Sequence, residues 1–187
     1  MFVKKSSNDI VDAVIIWVDG NDPDWQAQMS KYRHETSADD RIVRYRDMGF
    51  LKYLFRGIEM YAPWIRMIHF ITCGQKPEWL NCNAPKLHLI SHSDYIPAEY
   101  LPTFNSHTIE LNFHRIEELS ERFVYFNDDH FLISETAQDD FFHNGLPRQS
   151  ASFMPTYLDK TDVVFRLIDK IRGKKIGKGL AQNGKIV

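Results

Sequence analysis

The stretch "DAVIIWVDGNDPDW", residues 12–25, decides how the chain begins to fold. Ala13 to Val18 is apolar and rich in β-branched and aromatic residues, and its length suits a buried strand, expected over residues 12–18. It ends abruptly in Asp19-Gly20-Asn21-Asp22. Asp22-Pro23 then sets an N-cap carboxylate before a proline at the first helical position, so a helix should open there and run through Gln26 and Met29. Strand, polar turn and helix form the first half of a βαβ unit.

Three further segments repeat the strand signature: "IRMIHFIT" (65–72), "KLHLIS" (86–91) and "RFVYF" (122–126). Between them, Leu51, Leu54, Phe55 and Ile58 recur at helical spacing before "APW". Ser106 to Phe113 reads as another helix, capped by Asn105 or Ser106. Alternating strands and helices imply an α/β fold with a mostly parallel, Rossmann-like sheet flanked by helices. His69 and His88, inside strands, and Trp17 are expected in the core; Tyr125 suits either core or site.

Composition bounds the function. The chain has 187 residues, 43% hydrophobic and 26% charged, which suits one globular domain over residues 1–169. A net charge of -2 gives no basic field to recruit nucleic acid. Cys73 and Cys82 lack the short pair spacings of a zinc site and, with no secretory leader in view, read as reduced thiols of a cytoplasmic protein. Residues 170–187 hold six Lys or Arg, no acid and four Gly, and are expected to form a disordered basic tail.

Ligands of open α/β sheets bind beyond the carboxyl ends of the strands, where the strand order reverses. Here each predicted strand ends in polar residues: Asp19 to Asp22, Cys73-Gly74-Gln75, His92-Ser93-Asp94 and Asn127-Asp128-Asp129. With strand order 3-2-1-4, Asp19 and Asp128 become neighbours. The Asp128-Asp129 pair reads in two ways: as a clamp for Mg²⁺ or Mn²⁺, which take oxygen ligands, or as a turn satisfying its own backbone. Extended backbone would point the two carboxylates apart, so the clamp needs a turn. Arg41, Arg44, Arg46, Lys52 and Arg56 supply anion-binding candidates, with Lys52 and Arg56 one helical turn apart. His114 beside Arg115 offers a titratable ring, which Glu110 one turn earlier would orient.

"DAVIIWVDGNDPDW", "YRDMGFLKYLFRGIEMYAPWIRMIHFIT", "HSDYIPAEYLPTFNSHTIE" and "FVYFNDDHFL", taken in order over about residues 10–135, resemble the first two conserved blocks of the Stealth family of sugar-phosphate transferases. That family includes bacterial capsule and exopolysaccharide phosphotransferases and the animal enzyme that builds the mannose-6-phosphate marker. The resemblance implies transfer of a hexose-1-phosphate from a nucleotide sugar, such as UDP-N-acetylglucosamine, to a saccharide or polysaccharide hydroxyl, with release of a nucleoside monophosphate. It implies that Asn127, Asp128 and Asp129 hold Mg²⁺ or Mn²⁺ on the donor pyrophosphate, and that Asp19, Gly20, Asp22, Arg46, Asp47, Lys52, Asn105 and Glu110 line the donor and sugar sites. Asp128, Asp129, His114 and Arg115 become the catalytic candidates, His114 as general base.

Cys73, Phe50 and Lys52 depart from the family's commoner choices. Its two later blocks have no counterpart here, so a fragment, or a donor-binding remnant without turnover, is an expectation alongside the active transferase. A metal-dependent glycosyltransferase releasing a nucleoside diphosphate is the other enzymatic alternative. A cytoplasmic location is expected, with peripheral contact to membrane-bound polysaccharide machinery compatible with the basic tail.

Overall fold

A computed structural model of the chain describes residues 10–32, 45 and 47–148. The chain divides into two units, Met1–Arg148 and Gln149–Val187; the second, including the expected tail and the boundary at 169–170, lies outside the described residues. So do Arg41, Arg44 and Arg46.

The first unit is an α/β fold. Four strands, β1 (Val11–Ile16), β2 (Ile68–Thr72), β3 (Leu87–Ser91) and β4 (Arg122–Phe126), form one sheet in the order β3-β2-β1-β4, all neighbours parallel. This is the expected order, and it puts the ends of β1 and β4 side by side. Trp17 and Val18 fall just outside β1, although the Trp17 amide still donates to the Ile71 carbonyl at 3.0 Å. β2 starts later than expected because the Ile65 amide closes a turn onto Ala62, 3.0 Å away.

Helices cover both faces, which is why the strands read as unbroken apolar runs. On one face Ala13, Ile15, Trp17, Phe70 and Phe126 pack under α2 (Leu51–Tyr61) through Leu51, Leu54 and Ile58. On the other, Val14, Ile71 and Ile90 meet Tyr95 of α3 (His92–Tyr95), Ile109 of α4 (Ser106–Leu111), and Phe113 and Ile116 beyond it. Helix α1 (Pro23–Tyr32) buries Trp25, whose ring meets Tyr45 at 5.0 Å and Phe104 at 5.5 Å between centroids. The third expected helix stops at Leu111; Phe113–Arg115 is a separate 3-10 turn. A short helix α5 (Gln138–Phe141) leads into a hairpin, β5 (Phe142–His143) and β6 (Leu146–Pro147), through Asn144 and Gly145, both at positive φ.

At the amino-terminal end of the sheet lies a buried polar network. Asp12, fully buried, accepts from Arg66 Nε (2.8 Å) and Nη2 (2.6 Å) and from the Ser120 amide (2.9 Å), and meets His69 Nε2 at 3.2 Å. Burial alone would raise its pKa. The hydrogen bonds from Arg66, Ser120 and His69 outweigh that and hold the carboxyl below its ordinary range. An ionised Asp12 can only accept, so His69 donates from Nε2 and its Nδ1 accepts from His88 Nδ1, 3.2 Å away. Burial lowers the His69 pKa, consistent with this neutral ring. His69 is therefore core, as expected, whereas His88 reaches the surface toward Glu118.

Candidate functional site

The carboxyl ends of the strands carry the polar residues anticipated there. After β1, Asp19 Oδ1 accepts from the Asn21 amide at 2.9 Å, and Asp22 Oδ1 caps α1 by accepting from the Asp24 amide, also at 2.9 Å. Gln75, beyond β2, straps this loop. Its Oε1 accepts from the Asp19 amide (2.9 Å), while its Nε2 donates to the Asp19 carbonyl (3.1 Å) and to Asp22 Oδ2 (2.6 Å). The bond from Gln75 is the main reason the Asp22 pKa is lowered. Both Asp22 oxygens thus shape the loop. Gly20 is needed for close packing: a Cβ there would lie 2.7 Å from Tyr45 Cβ and closer still to the Tyr45 carbonyl.

After β4 the chain makes the turn that two converging carboxylates require. The His130 amide donates to the Asn127 carbonyl (3.0 Å) and the Asn127 amide donates to His130 Nδ1 (3.1 Å), leaving Asp128 and Asp129 at the tip. Asp128 is half-buried. Burial and then the charge of Asp129 push its pKa up, with a lesser push from Asp47, against the opposing effects of its own amide and His130. Asp47 is anchored by Trp17 Nε1, which donates to its Oδ2 at 3.3 Å, and by the Gly49 amide at 2.6 Å. Three carboxylates from two distant parts of the sequence thus share one region at the β1–β4 edge, and the charges of Asp47 and Asp129 disfavour the ionised form of Asp128.

Hard oxygen donors of this type suit Mg²⁺ or Mn²⁺. Among the described residues no three His, Cys, Asp or Glu side chains are already disposed to hold a metal ion. Asp128 and Asp129 could therefore supply only part of an ion's coordination, which Mg²⁺ tolerates because it commonly takes one or two carboxylates.

On the opposite face of β4, the Tyr125 hydroxyl donates to Glu110 Oε1 at 3.2 Å, and Glu110 Oε2 lies 3.6 Å from His107 Nδ1. Burial first, and then the negative charge of Glu110, drive the Tyr125 pKa upward, so it stays a donor. Asn105 caps α4 through the His107 amide, 2.9 Å from its Oδ1. His114 is a correction. It lies beyond the end of α4, where its Nδ1 donates to the Leu111 carbonyl at 2.9 Å, while Glu110 turns to Tyr125 and His107 instead. No contact among the described residues joins His114 or Arg115 to the acidic turn; both are exposed on the path toward Ser120 at the far end of the sheet. Lys52 is exposed on α2, its Nζ 5.2 Å from the centre of the Tyr53 ring.

A parallel sheet with a polar rim at its switch point defines a Rossmann-like α/β protein, and the switch point, where open sheets of this kind bind ligands, is the β1–β4 edge. The chain belongs to the Stealth family. The family model described as Stealth protein CR2, conserved region 2, matches residues 44–149, and that for Stealth protein CR1, conserved region 1, matches residues 11–37. The chain is 49% identical over 149 residues to the capsular polysaccharide phosphotransferase WcwK of Streptococcus pneumoniae, covering 78% of this chain and 45% of that protein. It is 48% identical over 147 residues to the capsular polysaccharide phosphotransferase eps5J of Streptococcus thermophilus, covering 76% and 62%. To the exopolysaccharide phosphotransferase cps2G of Lactiplantibacillus plantarum it is 44% identical over 142 residues, covering 75% and 42%. The chain thus spans roughly half the length of these curated relatives. Among the described residues no helix is long and apolar enough to cross a membrane.

Proposed function

We propose that this chain carries the donor-binding part of a sugar-1-phosphate transferase acting in capsular or exopolysaccharide synthesis. The observation that carries the reading is the acidic turn: Asp128 and Asp129, on a closed turn beside β1, repel each other and Asp47 in a half-buried setting. A nucleotide sugar brings a pyrophosphate to this edge, and a Mg²⁺ or Mn²⁺ held by Asp128 and Asp129, with Asn127, would neutralise its charge. The acceptor hydroxyl then attacks the sugar-bearing phosphorus and releases its proton to water, the phosphorus–oxygen bond to the bridging oxygen breaks, and nucleoside monophosphate leaves with that oxygen.

The protein residues bind and orient. Asp19, Gly20 and Asp22 form the strapped loop against which the nucleotide lies, and Asp47 extends the acidic edge. Glu110 and Asn105 line the sugar side, where Tyr125 fixes Glu110. Arg46 and Lys52 are the cations for the phosphates.

Incubation with Mg²⁺, UDP-N-acetylglucosamine and related donors, and a saccharide acceptor, followed by mass analysis of the released nucleotide, tests this reading. Metal-dependent monophosphate supports it. Diphosphate would assign sugar transfer alone, and full turnover by Asp128→Ala would remove the acidic turn from the mechanism.

A further inference from the structure

An aromatic surface borders the acidic turn. Phe50, the residue before α2, and Phe131, two residues past Asp129, meet edge to face with ring centroids 5.9 Å apart and planes at 74°. Each is 43% exposed, and Tyr53, three residues further along α2, is 49% exposed. Lys52 and Arg56 flank the Tyr53 ring, 5.2 Å and 5.8 Å from its centre. The two elements are held close by Gly57, where a Cβ would sit 3.1 Å from the Leu132 carbonyl oxygen. The rings are therefore fixed by backbone packing on one side and by the closed Asn127–His130 turn on the other.

Size and chemistry indicate what lies on this surface. At roughly 200 Å² for a whole aromatic residue, the three rings leave about 250–300 Å² open. That is well below the roughly 800 Å² each partner buries in a stable protein interface. It suits one or two sugar rings, whose C–H faces stack on aromatic planes while their hydroxyls need a donor such as Arg56. The surface also adjoins the acidic edge, since Asp47 lies three residues before Phe50 and Asp129 two before Phe131.

We propose that Phe50 and Phe131 form the platform on which the acceptor saccharide stacks, directing a hydroxyl toward the Asp47–Asp128–Asp129 edge. The acceptor's role rests on the transferase reading; its binding can be measured without it. Saturation-transfer NMR of the full chain with cellotetraose, maltotetraose and lacto-N-tetraose should show binding of at least one. Phe50→Ala and Phe131→Ala should each weaken it roughly three- to ten-fold, the worth of one aromatic contact, while Phe131→Tyr should retain it. UDP-N-acetylglucosamine binding with Mn²⁺, measured on the same variants, should be unchanged. Unchanged saccharide binding in both alanine variants would overturn the platform, as would failure of all three probes to bind the wild type. A wild-type dimer that Phe50→Ala/Phe131→Ala converts to monomer would overturn it too, by assigning the rings to a second copy. Stacking that survives in a chain unable to bind any donor would support the platform while removing the transferase reading.

Discussion

His92 opens α3 at the carboxyl end of β3, and burial there pushes its pKa from 6.5 down to about 4. A depressed histidine pKa makes the folded state acid-sensitive. Above pH 6.5 the ring is neutral in both states and the full stability is present; as pH falls, the unfolded chain gains a proton that the folded chain refuses until about pH 4. At about 1.4 kcal/mol per tenfold change, the gap between 6.5 and about 4 amounts to about 3.4 kcal/mol once pH lies below both. Between pH 7 and pH 5 the loss is about 2 kcal/mol. The assay is urea unfolding followed by tryptophan fluorescence at both pH values, for wild type and His92→Gln. His69, also lowered by burial, adds to the loss in both proteins and cancels in the comparison. The variant should therefore lose about 2 kcal/mol less than wild type over this interval. Equal losses, or an NMR titration of His92 near its ordinary value, would refute the reasoning. A neutral His92 at pH 7 also means that this rim position supplies no cation for phosphate.

Asp12→Asn removes the charge paired with Arg66 and puts an NH2 donor where one of two acceptor oxygens stood, facing groups that are themselves donors; it should cost about 2–4 kcal/mol in urea unfolding, below the full value for a buried pair because the Arg66 side chain is 43% exposed. Nucleotide-sugar affinity per folded molecule should not change, since this network lies at the opposite end of the sheet. Gly20→Ala forces the Tyr45 backbone away and should cost about 1–3 kcal/mol, the usual range for an overpacked site. Calorimetry of donor binding with Mn²⁺ should show the same variant binding more weakly, because the β1 loop moves with Gly20.

The sheet was legible because its central strands β1 and β2 are buried on both faces and so appear as short continuous apolar runs, and because Asp22-Pro23 announces a helix start. Its polar rim followed from where those runs end. The hairpin at Asn144–Gly145 was not anticipated: its strands are two residues each, too short for any alternation to show. The links that build the site were hidden for a different reason. Trp17 to Asp47, Gln75 to Asp19 and Tyr125 to Glu110 span 30, 56 and 15 residues, and no local pattern marks them. The expected Glu110–His114 pair needed helix through position 114; α4 ends at Leu111 and the i,i+4 geometry is lost.

The two ends of the sheet treat a buried carboxylate in opposite ways. At the amino-terminal end, Asp12 meets the Arg66 guanidinium, an amide and an imidazole, and its charge is favoured despite complete burial. At the carboxyl end, Asp128 has two neighbouring carboxylates and little to oppose them, and its charge is disfavoured. A fold that neutralises one acid so thoroughly has the means to neutralise another: a lysine or arginine in place of Asp47 would serve. The carboxyl end is therefore the one whose charge is left uncompensated, which is the electrostatic ground on which the proposed cation rests.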